Sequence, residues 1–397
     1  MAIYNHIVKL ISRVTPLVAL LFFAACANEN SEPTPELVTF DISDSQDWRD
    51  VTRGAALTQT TLCDRGFGVF AYYTEDKAWS AYNKPEIPNF INNSKVTSAN
   101  NGASWGYSPV KYWPATQGHK ISFFAYAPHD PSQKVVENTK IDFTVADDVK
   151  DHIDLVWSNE NTIDKTKDNG GINFTFKHAL ARIGFSVKAS ANGTSALPGG
   201  ANAFRKVTIK INEIRIGDGD GNGFKNKGRL DLNNTKTTPE WGNKDGNKAY
   251  KLHTDDHYNA NRTLTTENSS ETMEIAGKET RVPKAVRVNN DNAYIMVIPQ
   301  DFSNSTSGLK VYVKYTVELS SRPNTTANFS PYLTYTNECT GSVNINLEAS
   351  KTYIFNIKTD METASVDGEV TITEWDEDGG SVWIPAFDIN GSGIDQQ

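Results

Sequence analysis

The chain has 397 residues, a formal net charge of -9 and an isoelectric point near 5.4. That balance argues against a nucleic-acid partner, because phosphate binding needs a basic face. Three cysteines exclude a disulfide scaffold, and the length exceeds what one ordinary core serves, so two domains are expected.

Lys9 and Arg13 precede an apolar run from Val14 to Ala25, broken only by Thr15 and Pro16. The run is too short for a permanent transmembrane helix but suits the core of a secretory signal. The small pair Ala24-Ala25 stands directly before Cys26, where a signal peptidase needs access. A cysteine at this place is the usual acceptor of diacylglycerol. Residues 1–25 are therefore expected to be a lipoprotein signal peptide, with Cys26 the lipidated first residue of the mature chain. An ordinary cleavable signal with an incidental cysteine is the alternative. Residues 26–36, polar and carrying two prolines, read as a tether. With Cys26 lipidated, Cys63 and Cys339 remain, either paired or as buried free thiols.

After the tether, Val38, Phe40 and Ile42 alternate with Thr39, Asp41 and Ser43, the period of a half-buried strand. Runs rich in β-branched and aromatic residues then recur, among them "GVFAYY" from Gly68, "ISFFAY" from Ile121, "INFTF" from Ile172 and "IGFSV" from Ile183. "VTIKI" from Val207, "AYIMVI" from Ala293, "LKVYV" from Leu309 and "TYIFNI" from Thr352 continue the series. Clusters of Gly, Asn, Asp and Ser separate them, and no stretch shows a capped helical period. The fold class is all-β, in sandwiches with one buried face per sheet. Asn83–Tyr107 and Asn233–Asn292 are poor in apolar residues and are expected to be surface excursions.

Motifs with chemistry are weak. Asp218-Gly-Asp-Gly-Asn-Gly223 copies the first half of a calcium loop, but Arg229 stands where the closing carboxylate belongs. A Gly-Asp-Asn turn is the better reading. His253 and His257 would share a metal only on a helix, which their polar surroundings do not suggest. The carboxylates of Trp375–Gly380 lack a partner acid or histidine. No nucleophile elbow or phosphate loop is present, so no catalytic set, metal or cofactor is expected, and the chain does not read as an enzyme.

The strand blocks resemble the fimbrillin (Mfa-like) family, the lipoprotein precursors of type V pili. The resemblance is carried by "FGVFAYY", "YWPATQGHKISFFAYAPHD" from Tyr112, "INFTFKHALARIGFSV" from Ile172, "AYIMVIPQ" and "EVTITEWDEDGG". Its most telling block is Phe174, Phe176 and His178, followed by Ala181-Arg182. His178 itself reads as a packing and hydrogen-bonding residue at a strand end. The resemblance implies two tandem transthyretin-like β-sandwich domains, residues 37–178 and 179–397, after the lipoprotein signal peptide. It implies a fimbrial subunit that is exported, lipidated and displayed on the outer membrane, then cut after an arginine by a trypsin-like protease. Cutting would remove the strand of Val38, Phe40 and Ile42. A C-terminal strand from another copy, or from a related pilin, would fill the groove.

Arg53-Gly54 lies in a polar stretch and is the expected cleavage bond. Arg49 is the runner-up, flanked by Asp47 and Asp50. Val370 and Ile372, or Val382 and Ile384, are the donor candidates, since both segments alternate. A surface glycan-binding β-sandwich lipoprotein is the rival reading. Its platforms would be Trp79, Trp105, Trp113, Trp157 and Trp241.

Overall fold

The structure, a computed structural model, describes residues 34–43, 59–158, 163–190, 204–219, 221–233, 238–252, 263–265, 272–275, 278–281, 286–287, 294–303, 308–322, 326–360, 366–374 and 382–387. Cys26, the Arg53-Gly54 bond, His253, His257 and the Trp375–Gly380 carboxylates lie outside these residues. The regular elements among the described residues are almost all strands, as the sequence pattern predicts. Residues 36–397 form one compact unit.

The first half of this unit holds β1 (Phe40–Ile42), the helix Gln59–Arg65, β2 (Phe67–Glu75), β3 (Ile91–Thr97), β4 (Gly106–Tyr107) and β5 (Lys120–Ala127). The hairpin β6 (Val135–Glu137) and β7 (Lys140–Thr144) follows, then β8 (Val156–Ser158), β9 (Ile172–Phe174) and β10 (Phe176–His178). An antiparallel six-stranded sheet runs β10-β8-β5-β2-β3-β4. Successive side chains of its central strands point to opposite faces. Phe67, Val69, Ala71, Ile121, Phe123 and Ala125 enter one core, together with Val38, Phe40, Ile172 and Phe174. Phe70, Tyr72, Phe124 and Tyr126 enter a second and larger core, shared with strands beyond His178. The expectation of one buried face per sheet is thus corrected here. β2 and β5 are covered on both sides, which is why they read as nearly unbroken apolar runs.

The second half begins with β11 (Ala181–Ser190), β12 (Phe204–Ile216), β13 (Lys227–Asp231), β14 (Glu240–Asp245), β15 (Tyr250–Lys251) and β16 (Thr263–Thr265). The short β17 (Thr272–Ile275), β18 (Lys278–Arg281), β19 (Val286–Arg287), β20 (Ile295–Val297) and β21 (Gln300–Asp301) come next. The long hairpin β22 (Leu309–Arg322) and β23 (Ser330–Val343) leads to β24 (Asn346–Leu347), β25 (Lys351–Asp360), β26 (Val366–Glu374) and β27 (Val382–Phe387). One sheet runs β19-β11-β25-β26-β27, with β20 also on β11. Another runs β15-β12-β22-β23, with β16 also on β12. Ile183, Phe185 and Val187 of the first share the larger core with Ile209, Ile211, Val313 and Tyr315 of the second.

Strands on either side of His178 fall in separate sheets, with one exception. β7 pairs antiparallel with β13, so a sheet β14-β13-β7-β6 draws on both halves.

Two expected surface excursions are corrected. Asn83–Tyr107 contains β3 and β4, and Ile91 and Val96 are buried. β3 pairs with β2 across a register shift between Val69 and Ala71, and Asn93 adopts φ 53. The shift breaks the alternation, and backbone pairing rather than an apolar stripe makes this strand. Within Asn233–Asn292, Tyr250 and Leu252 are likewise core residues, the former on β15 at the edge of the β12 sheet.

Candidate functional site: the slot of the first strand

Glu36–Ser43 lies between two walls. On one side Val38 N–H donates to Lys111 O at 2.9 Å and Trp113 N–H donates to Glu36 O at 2.8 Å. These bonds flank an antiparallel bridge between Leu37 and Tyr112. On the other side β1 runs parallel to β9, with Phe40 opposite Ile172 and Ile42 opposite Phe174. Ile172 N–H donates to Thr39 O at 3.0 Å, and Ser43 N–H donates to Phe174 O at 2.9 Å. Tyr107 adds a bond from its hydroxyl to Val38 O at 3.0 Å.

The side chains follow the alternation. Val38 and Phe40 are buried, Ile42 is half-buried, and Asp41 is exposed. Phe40 enters an aromatic socket, with ring centroids 4.9 Å from Tyr107, 5.7 Å from Phe174, 5.9 Å from Phe123 and 6.5 Å from Phe67. Burial of such side chains is worth roughly 1.5–3 kcal/mol each. Among the described residues, the segment's backbone-to-backbone bonds to the rest of the chain go to the two walls. Lifting the segment out would therefore leave an apolar slot with unpaired strand edges on both sides.

The alternation of Val38, Phe40 and Ile42 and the run Ile172–Phe176 that contains β9 are legible in the sequence, whereas the Lys111–Trp113 wall is not. Lys111–Trp113 sits between Pro109 and Pro114, too short to show alternation.

At the other end of the chain, β26 is paired on both sides, by β25 and β27. Val370 is buried and Ile372 half-buried. Val370 stands opposite Ile384, and Ile372 opposite Val382. Among the described residues, β27 is bonded to β26 alone and forms the edge of its sheet.

His178 is buried, with Nδ1 2.8 Å from the Asp154 carboxylate, in keeping with a packing and hydrogen-bonding role. The Asp218 carboxylate accepts Asn222 N–H at 2.9 Å, closing a turn. Arg229 lies in β13 opposite Asp142, and its Nε donates to that carboxylate at 2.8 Å. Cys63 and Cys339 are buried free thiols. Trp79, Trp113 and Trp157 are buried, while Trp105 and Trp241 are half-buried against the two cores. None of the five is fully exposed. Among the described residues, no group of three or more His, Cys, Asp or Glu is placed to hold a metal ion.

A model of the fimbrillin-like family matches residues 55–375. The chain belongs to the fimbrillin-like family. It is 29% identical over 264 residues to the fimbrium subunit Fim1C of Phocaeicola vulgatus, covering 57% of this chain and 68% of that one. Its fold is similar to the crystal structure of a fimbrial protein from Bacteroides vulgatus ATCC 8482, with a TM-score of 0.58 and 22% identity. That likeness covers 85% of this chain and 99% of the other. In this fimbrillin-like protein the slot holds Val38, Phe40 and Ile42 between the Lys111–Trp113 segment and β9.

Proposed function

We propose that this protein is a structural subunit of a cell-surface fimbria serving adhesion, built into the filament by exchange of its first strand. The carrying observation is the plug formed by Val38 and Phe40. Their side chains fill an aromatic slot while their backbone is held between two walls contributed by Lys111–Trp113 and β9. A strand that can be withdrawn from such a place can be replaced by another with the same period, the physics of β-augmentation. Family membership and the named fimbrial relatives support the reading.

In this reading Cys26 carries a lipid that holds the precursor on the outer membrane, and a trypsin-like protease cuts between Arg53 and Gly54. The halves 37–178 and 179–397 act as two tandem transthyretin-like sandwiches. The partners are further copies or related pilins, with the donor drawn from the C-terminal strands. Val382 and Ile384 lie on an edge strand and are freer to leave than Val370 and Ile372, which lie on a strand paired on both sides. The role is structural rather than enzymatic.

Limited trypsin treatment of the purified precursor tests this. It should yield a new N-terminus at Gly54 and oligomers that survive unboiled gels. Deleting 381–397 should suppress the oligomers, with Ile372→Asp testing the inner strand. Trimmed protein that stays monomeric refutes strand exchange. Fatty-acid labelling that persists in Cys26→Ala refutes the anchor.

A further inference from the structure

The tripeptide Phe-Asp-Ile occurs at two places in the chain, Phe40–Ile42 and Phe387–Ile389. The first is the plug of the slot, and the second is the end of β27 together with the two residues after it. Extending the alignment sets Leu37 against Ile384, Val38 against Pro385, Thr39 against Ala386 and Ser45 against Ser392. We infer that the C-terminal segment of a second copy enters the slot in this register, with Phe387 in the socket of Phe40 and Ile389 in the place of Ile42. The inference rests on the strand-exchange reading and adds its direction and frame.

Apart from Pro385, the positions fit what the slot now holds. The socket of Tyr107, Phe123, Phe174 and Phe67 is shaped around a phenylalanine ring, and the same ring returns without a change of volume. Asp388 falls where Asp41 is exposed to solvent. Ile384 falls on Leu37, which is 44% exposed, so this register asks no burial of it. The ladder to β9 uses Thr39 O and Ser43 N–H, backbone groups that Ala386 and Asn390 supply equally. The incoming strand then runs parallel to β9, as β1 does.

Proline is the one mismatch. Val38 N–H bonds to Lys111 O, and Pro385 has no N–H to give. The lost bond lies at the start of the strand, where proline is tolerated, and Lys111 is only half-buried, so water can reach its carbonyl. The frame suggested by alternation alone, with Val382, Ile384 and Ala386 facing inward, brings no aromatic ring to the socket. It would leave a void there, and the socket residues would lose their contacts. Release of the donor is also local, because among the described residues β27 is bonded only to β26.

The test compares two faces of one strand in the trypsin-trimmed full chain. Phe387→Asp should lower the yield of stable oligomers roughly ten-fold or more, since a carboxylate would replace a buried ring. Ile384→Asp should leave assembly near wild type. The reverse pattern overturns the register while leaving strand exchange standing, whereas a wild-type chain that never oligomerises after trimming overturns both. A fluorescent peptide spanning Trp383–Ser392 bypasses any folding defect of the variants. It should bind trimmed protein and lose binding with Phe387→Asp. Equal binding of both peptides, or of neither, rejects the register.

Discussion

His152 Nδ1 accepts the backbone N–H of Met296 at 3.0 Å, tying the turn Val149–Asp151 to β20 across the two halves of the protein. Its Nε2–H donates to Ala146 O at 3.0 Å, so the ring is held as one neutral tautomer. The edge-to-face ring of Tyr250, 4.9 Å away, completes the enclosure. Burial pushes the imidazole pKa down to about 4, and the Ala146 carbonyl with Asp148 and Asp151 only partly opposes this.

A group whose folded pKa lies below its unfolded value favours folding when deprotonated. The stabilisation is complete above about pH 6.5 and is lost as the pH falls toward 4, amounting to something on the order of 3 kcal/mol. Urea midpoints should therefore fall across that window for the wild type. In His152→Gln they should be lower at neutral pH and flatter below it. Parallel pH profiles for the two proteins would show that His152 is not the group responsible.

The two buried thiols should be inert. Cys339 Sγ–H points at Val313 O at 3.7 Å, and burial pushes its pKa up to about 12. Burial also raises the Cys63 thiol, although a hydrogen bond with Ser98 partly offsets it. Thiolate is the reactive form, so alkylation of the native protein near neutral pH should be slow at both positions and slowest at Cys339. Peptide mapping after iodoacetamide treatment, with and without denaturant, reads this directly. Rapid native labelling at Cys339 would contradict its placement in β23.

How far the sequence reached depends on the residue. Phe70 and Tyr72 announce a strand, but an unbroken apolar run does not tell a sheet covered on one face from one covered on both. β3 was lost because "INNSKVT" carries apolar residues only near its ends, with a register shift opposite them. The pairing of Phe143 on β7 with Gly228 on β13 is a long-range choice that neither segment signals locally. The slot was half legible. Val38, Phe40 and Ile42 have a period, whereas the Lys111–Trp113 wall is defined by what bonds to it. The tryptophans left packing and exposure open, because a large aromatic ring looks alike in a loop and in a core.

Gly68 marks a close approach that no other residue satisfies. A Cβ there would lie 2.3 Å from Tyr126 Cε1 and 2.8 Å from Asn93 Oδ1. Tyr126 cannot move freely, because its hydroxyl, with one proton to give, lies 2.8 Å from Asn93 Oδ1 and 2.9 Å from Asp130 O, either of which can accept it. Gly68→Ala should cost about 1–3 kcal/mol, the range for overpacking a fitted core. Gly106→Ala is the matched control, since no atom lies within 4 Å of its Cβ position. Thermal unfolding of the two variants should separate them clearly, and equal melting temperatures would mean that Tyr126 yields.

Phe40 allows stability to report on strand exchange. Truncating a buried phenylalanine to alanine costs about 3–5 kcal/mol, and Phe40 touches four aromatic rings in its socket. Phe40→Ala should destabilise the uncut precursor by that amount. After cutting, residue 40 leaves with the first strand, so the assembled form should be as stable as wild type. Phe174→Ala behaves differently, because Phe174 belongs to the wall and remains in place. It should weaken precursor and assembly alike. Chemical denaturation of all three proteins before and after trypsin treatment separates the cases. An assembled Phe40→Ala that keeps the full deficit of its precursor would mean that the first strand never leaves the slot.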